Sequence, residues 1–278
     1  MKIFNTTKGI LIEENNFFYQ VREDWDRLIN SNTVYEDILE RIHSLQPLTE
    51  SESEKSLNQL LPPLKSQEVW AAGVTYQRSK AARMDESGNA GGGDFYDRVY
   101  HAERPELFYK SAPYRVSGPG QKVRIRKDSK WNVPEPELTL MISSSGRIIG
   151  YTIGNDMSSC DIEGENPLYL PQAKTYDKSA ALGPCIYISN STLPEDTRIE
   201  LEIVRTGKVV FAGAVTIDQM KRKFTDLAEY LFREMTFTHG CLLMTGTGIV
   251  PGNDFTLMRD DKIIISIEPI GKLINFVE

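Results

Sequence analysis

From about residue 68 onward the chain is rich in short, largely apolar runs of β-like composition. Lys122–Ile125, Leu138–Ser143, Ile148–Ile153, Pro184–Ile188, Ile199–Val204, Val209–Ala214 and Ile263–Ile267 read as strands, since successive strand side chains point to opposite faces. Turn signals separate them, among them "SSSGR" and "RTGKV", the second with the composition of a hairpin. Helical spacing is rarer. It is found in "YQRSKAARMDES" and in "TDLAEYLFREMTF", where Leu227, Tyr230, Leu231 and Met235 form one stripe. Upstream, "KIFNTTKGILIEENNFFYQV" predicts short strands, "VYEDILERIHSL" a helix, and the proline-closed "QPLTESESEKSLNQLLPP" a connector. No internal repeat is visible. The pattern predicts an α+β fold with a mostly antiparallel sheet system rather than alternating βαβ units. Residues 1–65 are expected to form a small N-terminal α/β module with its connector, and residues 66–278 a larger domain.

Composition narrows the class. A formal charge of −7 argues against a nucleic-acid binder, and the densest basic stretch, "VRIRKDSK" (123–130), reads as a solvated strand face. The N-terminal residues lack the apolar run of a signal peptide, and no stretch is long and apolar enough for a membrane span. Cys160, Cys185 and Cys241 are odd in number, far apart and without C-x-x-C spacing. They read as free thiols in a reducing compartment, which predicts a cytoplasmic enzyme or binding protein.

The stretch "WNVPEPELTL" (131–140) carries the sharpest chemical question. If it is extended, Glu135 and Glu137 share a face with Cβ atoms roughly 6.6 Å apart. Pro134 and Pro136 cannot donate to a ladder, so the segment is an edge, a bulge or the start of a strand. Such an alternation is either a solvated acidic edge or half of a divalent-cation site. Downstream, "GYTIGNDMSS" runs a strand into Asp156, and "PQAKTYD" places Lys174 in a turn. Three carboxylates with no nearby histidine or thiolate favour a hard cation, Mg²⁺ with Mn²⁺ or Ca²⁺ as alternatives, and leave positions for a chelating 2-oxo acid. His43, His101 and His239 show no ligand spacing. The glycine-rich "SGNAGGGDFYDRVY" (87–100) lacks a phosphate-loop lysine and reads as a mobile loop placed to cover a site, and "MTGTGIVPG" (244–252) as a turn offering backbone N–H groups to a carboxylate.

Five stretches in register, "RPELFYK", "PEPELTLMI", "GYTIGNDMSS", "DIEGENPLYLPQAKTYDKSAALGP" and "LLMTGTGIVPG", resemble the fumarylacetoacetate hydrolase family from about residue 68 to the end. The resemblance implies a roll of mixed β-sheets, a homodimer or homotetramer, and a divalent metal at the mouth of the roll. It further implies that Glu135, Glu137 and Asp156 are the metal ligands, Lys174 the active-site lysine, and Thr247 a contact for the substrate carboxylate.

Hydrolases of that family activate water with a His–Glu pair in an N-Y-x-x-H-x-x-E pattern. Here "TYQRSKAAR" has Ser79 and Ala82 at those positions, which argues against a standard hydrolase. The stretches around Glu106 and Lys174 resemble the sugar-acid dehydratase branch instead. The implied reaction is loss of water from 2-keto-3-deoxy-D-arabinonate or -xylonate to give 2,5-dioxopentanoate. In that reading Lys174, its pKa lowered by burial and the adjacent metal, takes a C3 proton, Glu106 helps the C4 hydroxyl leave, and Arg115, Tyr76 and Gln77 hold sugar hydroxyls. A C–C bond hydrolase of acylpyruvates or 2,4-diketo-3-deoxy sugar acids, and a non-catalytic 2-oxo-acid binder, are the competing classes. Cys160 stands where the family has arginine, which bears on the support of Asp156 rather than on the ligands themselves.

Overall fold

The computed structural model describes residues 1–86 and 93–278. The chain opens with three antiparallel strands, β1 (Lys2–Thr6), β2 (Gly9–Glu14) and β3 (Phe17–Val21). Helices α1 (Trp25–Ile29), α2 (Val34–Ile42) and α3 (Glu50–Leu57) follow. Strand β4 (Glu68–Gly73) leads through α4 (Gln77–Glu86) and α5 (Gly93–His101) to β5 (Glu106–Ser111). Short strands β6 (Val116–Ser117) and β7 (Lys122–Val123) precede the long pair β8 (Asn132–Ile142) and β9 (Ile148–Ser159). Helices α6 (Cys160–Glu165) and α7 (Leu170–Lys174) then bring the chain to β10 (Ala180–Tyr187). The remainder is β11 (Arg198–Arg205), β12 (Lys208–Thr216), α8 (Phe224–Phe232), β13 (Cys241–Met244), β14 (Lys262–Ile267) and β15 (Gly271–Val277).

Two mixed sheets result, in keeping with the expected α+β class. The larger runs β3-β2-β1-β10-β9-β8-β13-β4-β5, with β6 beside β10; the smaller runs β12-β11-β14-β15-β7. Most pairs are antiparallel, while β13 with β4, β10 with β6 and β15 with β7 are parallel. Leu138, Leu140, Ile153, Ile199, Leu201, Ile263 and Ile265 pack between the sheets. Each such fully buried side chain contributes about 1.5–3 kcal/mol of transfer free energy. The opposite face of the larger sheet is covered by α1 and α2, whose Trp25, Leu28, Ile29, Val34, Ile38 and Ile42 share a core with Met141, Ile149 and Leu242. With both faces covered, every residue of β8 is buried, which explains why its sequence does not alternate cleanly.

The first 65 residues share the larger sheet, since β1 pairs with β10 at Lys2↔Tyr187 and Ile3↔Ile186. The segment read as a connector contains α3, opened by a capping box in which Glu52 reaches back to the Thr49 backbone. Of the basic stretch only Val123 lies in a strand, the two-residue β7, and Arg126 turns back onto Asp128 at 2.6 Å. Of the glycine-rich stretch, residues 87–92 lie outside the described residues, and 93–101 are helical rather than loop. Pro134 and Pro136 sit where β8 has β9 alone as a neighbour; β13 joins only from Thr139 to Ile142.

Candidate metal centre and active site

The β8–β9 register sets Glu135 directly opposite Asp156 and Glu137 opposite Gly154. Residues two apart and residues directly opposed share one face, so all three carboxylates point the same way. One oxygen from each lies within 4.8 Å of the others, and all three residues are buried. The solvated acidic edge is thereby excluded. Burial takes hydration from these acids, so charge on them requires counter-charge.

Lysines supply part of it. Lys174, the last residue of α7, lies with Nζ 2.7 Å from Glu135 Oε2, 3.2 Å from Asp156 Oδ2 and 2.5 Å from Ser158 Oγ. Lys110, at the buried end of β5, sits 2.5 Å from Asp156 Oδ1 and donates to the carbonyl oxygens of Met157, at 3.0 Å, and Lys174. Burial pulls Lys174 down, but the charges of Asp156 and Glu135 outweigh it and hold the ammonium protonated. The lowered pKa expected of Lys174 depends on the adjacent metal as well as on burial, and here the carboxylates have cationic side chains alone to neutralise them. Burial likewise raises Glu135, yet Lys174 and Arg83 prevail and bring it down to about 2. Glu137 goes the other way. Burial, then the charges of Asp156 and Glu135, push it well above the ordinary carboxyl value, against a 2.5 Å hydrogen bond donated by Gly246 N.

This donor set fits a divalent cation. Three buried oxygens with no sulfur or nitrogen ligand are a hard site, and the raised Glu137 shows negative charge still lacking compensation.

The other expected residues are not all gathered here. Thr247 lines the pocket beside Gly246, its hydroxyl bonded to Ile249 N at 3.1 Å. Gly246 holds a left-handed φ of 94°, and a Cβ there would lie 2.0 Å from Thr75 Oγ1, so the turn requires glycine. Glu106 pairs with Gly73 across β4 and β5, and its carboxyl is raised by burial, with Glu135 and Asp156 adding and Arg83 and Lys174 opposing. By contrast, Tyr76 packs into the core between the sheets with its hydroxyl unpartnered among the described residues, and Gln77 is exposed. Arg115 is bonded to Asp177 at 3.1 Å and stacks on Tyr114. None of the three lines the pocket. His101 is exposed and bonded within its own helix to Asp97 O, and Cys160 is buried at the start of α6.

Lys110, Arg83, Glu163 and Gly73 belong to the centre and were missed. Lys110 was accessible to the same period-two argument as the glutamates, since Glu106, Phe108 and Lys110 share a strand face. A Cβ on Gly73 would fall 2.0 Å from Glu106 Oε2. Gly73→Ala is therefore expected to leave Mg²⁺ affinity within about twofold while lowering kcat by about 10²-fold through the displaced carboxyl, checked by calorimetry and steady-state kinetics on one preparation.

Residues 69–278 match the family model described as fumarylacetoacetate (FAA) hydrolase, C-terminal. The chain belongs to the fumarylacetoacetate hydrolase family. Among its relatives is a probable 2-keto-3-deoxyxylonate dehydratase of Haloferax volcanii, 44% identical over 77% of this chain and 73% of that protein. A 2-dehydro-3-deoxy-D-arabinonate dehydratase of Saccharolobus solfataricus is 42% identical over 78% and 73%. The solved structure of 2-keto-3-deoxy-D-arabinonate dehydratase complexed with magnesium and 2,5-dioxopentanoate superposes with a TM-score of 0.85 at 34% identity, covering 100% of this chain and 99% of that one. Within this family member, Ser79 and Ala82 both line the pocket, so the positions of the hydrolase His–Glu pair face the site without a base.

Proposed function

We propose that this family member is a divalent-metal-dependent hydro-lyase that converts a 2-keto-3-deoxy pentonate, the arabinonate or xylonate form, to 2,5-dioxopentanoate. The observation that carries the reading is a pocket lined by the buried Lys174, with Lys110 paired to Asp156 behind it and a raised Glu106 carboxyl that feels the charge of Lys174, and with Ser79 and Ala82 rather than a histidine and a glutamate on the α4 wall. Relatives at 42% and 44% identity bearing the dehydratase name support it. Glu135, Glu137 and Asp156 would hold the cation, and Mg²⁺ suits an all-oxygen set. Bound there, it supplies Lewis-acid polarisation of the 2-oxo group and takes up the carboxylate charge that otherwise keeps Lys174 protonated.

The residues of the chain then perform two proton exchanges. Lys174 Nζ takes a proton from C3 while the Glu106 carboxyl protonates the C4 hydroxyl, which leaves as water, and a C3–C4 double bond forms. The Glu106 carboxylate next removes a proton from C5 while the Lys174 ammonium returns one to C3. The resulting C5 enol tautomerises to the aldehyde, and both residues regain their starting protonation. Thr247 and the N–H groups of its turn hold the substrate carboxylate. The proposed working form is a cytoplasmic homodimer or homotetramer; none of the three buried cysteines is in a disulfide, and no described helix is long and apolar enough to cross a membrane.

Incubation with Mg²⁺ and 2-keto-3-deoxy-D-arabinonate, 2-keto-3-deoxy-D-xylonate or an acylpyruvate tests the reaction. Loss of one water from a sugar acid, abolished by EDTA, is expected by mass spectrometry. Cleavage of the acylpyruvate into two acids without any dehydration would sink the reading in favour of a C–C hydrolase. Because Glu106 acts as the acid, kcat/KM should fall as pH rises through its raised pKa. Glu106→Gln should lower kcat by about 10²–10⁴-fold and lose that alkaline limb.

A further inference from the structure

Helix α4 presents Ser79, Ala82 and Arg83 to the pocket, the spacing of one helical face. Ser79 bonds its own helix start, donating to Tyr76 O at 2.8 Å and accepting from Tyr76 N at 3.3 Å. Ala82 has no polar group. Polar recognition on this wall therefore falls to Arg83, whose side chain is only 10% exposed. Its Nη2 lies 3.4 Å from Glu135 Oε1, and its Nη1 contacts Glu163 of α6, a carboxylate with 1% of its side chain exposed. A guanidinium carries five N–H donors in a fixed fork, so it can serve both acids and a ligand oxygen together.

We propose that Arg83 is a specificity-determining residue that donates to the C5 hydroxyl of the sugar acid, and that Glu163 is the positioning residue that holds its guanidinium at the pocket wall. This rests on the dehydratase reading for the order of atoms along the pocket. The carboxylate end lies at Thr247, C3 at Lys174 and C4 at Glu106. Arg83 stands at the remaining wall, near enough for its charge to act on Glu106. A hydroxyl oxygen there accepts from the guanidinium, and the bond turns the C5 hydrogens toward the Glu106 carboxylate that must remove one. A site built to bond a hydroxyl rejects the analogue that lacks it, whereas a purely apolar wall does not.

The test uses two ligands that have no leaving group, 5-hydroxy-2-oxopentanoate and 2-oxopentanoate, titrated calorimetrically into the Mg²⁺-loaded protein. The hydroxylated ligand should bind about 10- to 100-fold more tightly, the value of one charge-assisted hydrogen bond. Arg83→Met should bring the two affinities together. Since that change leaves Glu163 buried without its cation, the double variant Arg83→Met/Glu163→Met removes the pair at once and should give the same result. Glu163→Gln should shrink the preference several-fold. Equal affinities in the wild type, or a preference that survives both methionine variants, would overturn the assignment. Dehydration of 2-keto-3-deoxy-D-arabinonate is assayed in parallel: hydroxyl preference without turnover refutes the reaction and keeps Arg83, and turnover without preference does the reverse.

Discussion

Lys174→Met is expected to lower kcat by about 10³-fold or more, the upper range for loss of a proton-transfer group, while the protein still folds and binds Mg²⁺ more tightly. The second half of that expectation separates a base from a structural ion-pair partner. Lys174 Nζ neutralises Glu135 and Asp156 in the absence of a cation, so it competes with one for the same oxygens. Removing it leaves two carboxylates with less counter-charge and raises their affinity for a divalent ion. Lys174→Arg sharpens the distinction. Arginine keeps the charge but stays protonated at any working pH, so it preserves an ion pair and cannot accept the C3 proton. Near-wild-type kcat in the arginine variant would refute the assignment of Lys174 as the base; stopped-time product assays and calorimetry decide it.

The second large effect concerns the cation itself. Asp156→Asn should weaken Mg²⁺ binding by about 10²-fold or more and reduce turnover in proportion to the metal-free fraction, with activity partly recovered at high Mg²⁺. The wild-type affinity should also climb with pH. Glu137 is raised by burial and by its two acidic neighbours, and a ligand carboxyl must be ionised to bind. At a pH below that raised value a proton occupies the site and is expelled on binding; above it, no proton is released and affinity levels off. Titrations in two buffers of different ionisation enthalpy measure the released proton directly. A pH-independent affinity with no proton release would contradict this account of Glu137.

Much of the centre was legible because its ligands obey a local rule. Glu135 and Glu137 are two apart in one strand and Asp156 lies on the strand that pairs with it, so period put the two glutamates on one face, while the resemblance was needed to join Asp156 to them and to choose a cation site over an acidic edge. The strand prolines were equally informative, since they marked where β8 has a single neighbour. What escaped depends on distance in sequence. Nothing near Arg83 indicates that α6 will deliver Glu163 to it, and nothing near Gly73 that Glu106 will need its missing side chain. Tyr76 and Gln77 failed to reach the pocket for a related reason. They stand where α4 begins, and the helix turns its wall-facing positions only from Ser79 onward. Arg115 was expected to contact substrate on the strength of the resemblance of its stretch, but it pairs with Asp177 instead. The α3 capping box, by contrast, was present in Thr49 and Glu52 and was obscured by the polar composition around it.

The carboxylate trio comes entirely from the β8–β9 pair, whereas the pocket walls come from α4, β5 and the turn at Gly246. This separates two inheritances. The hairpin keeps all three carboxylates through changes at 79 and 82, while a change at 83 would remove the guanidinium that faces Glu135, and α4 can be rewritten without disturbing the strand register. A descendant with a base at 79 and an acid at 82 would begin with the ion already in place and only a new reaction to learn. Chemical innovation on this scaffold is therefore a matter of exchanging one helix face, and the experiment in reverse, grafting side chains at 79, 82 and 83, needs no redesign of the sheet.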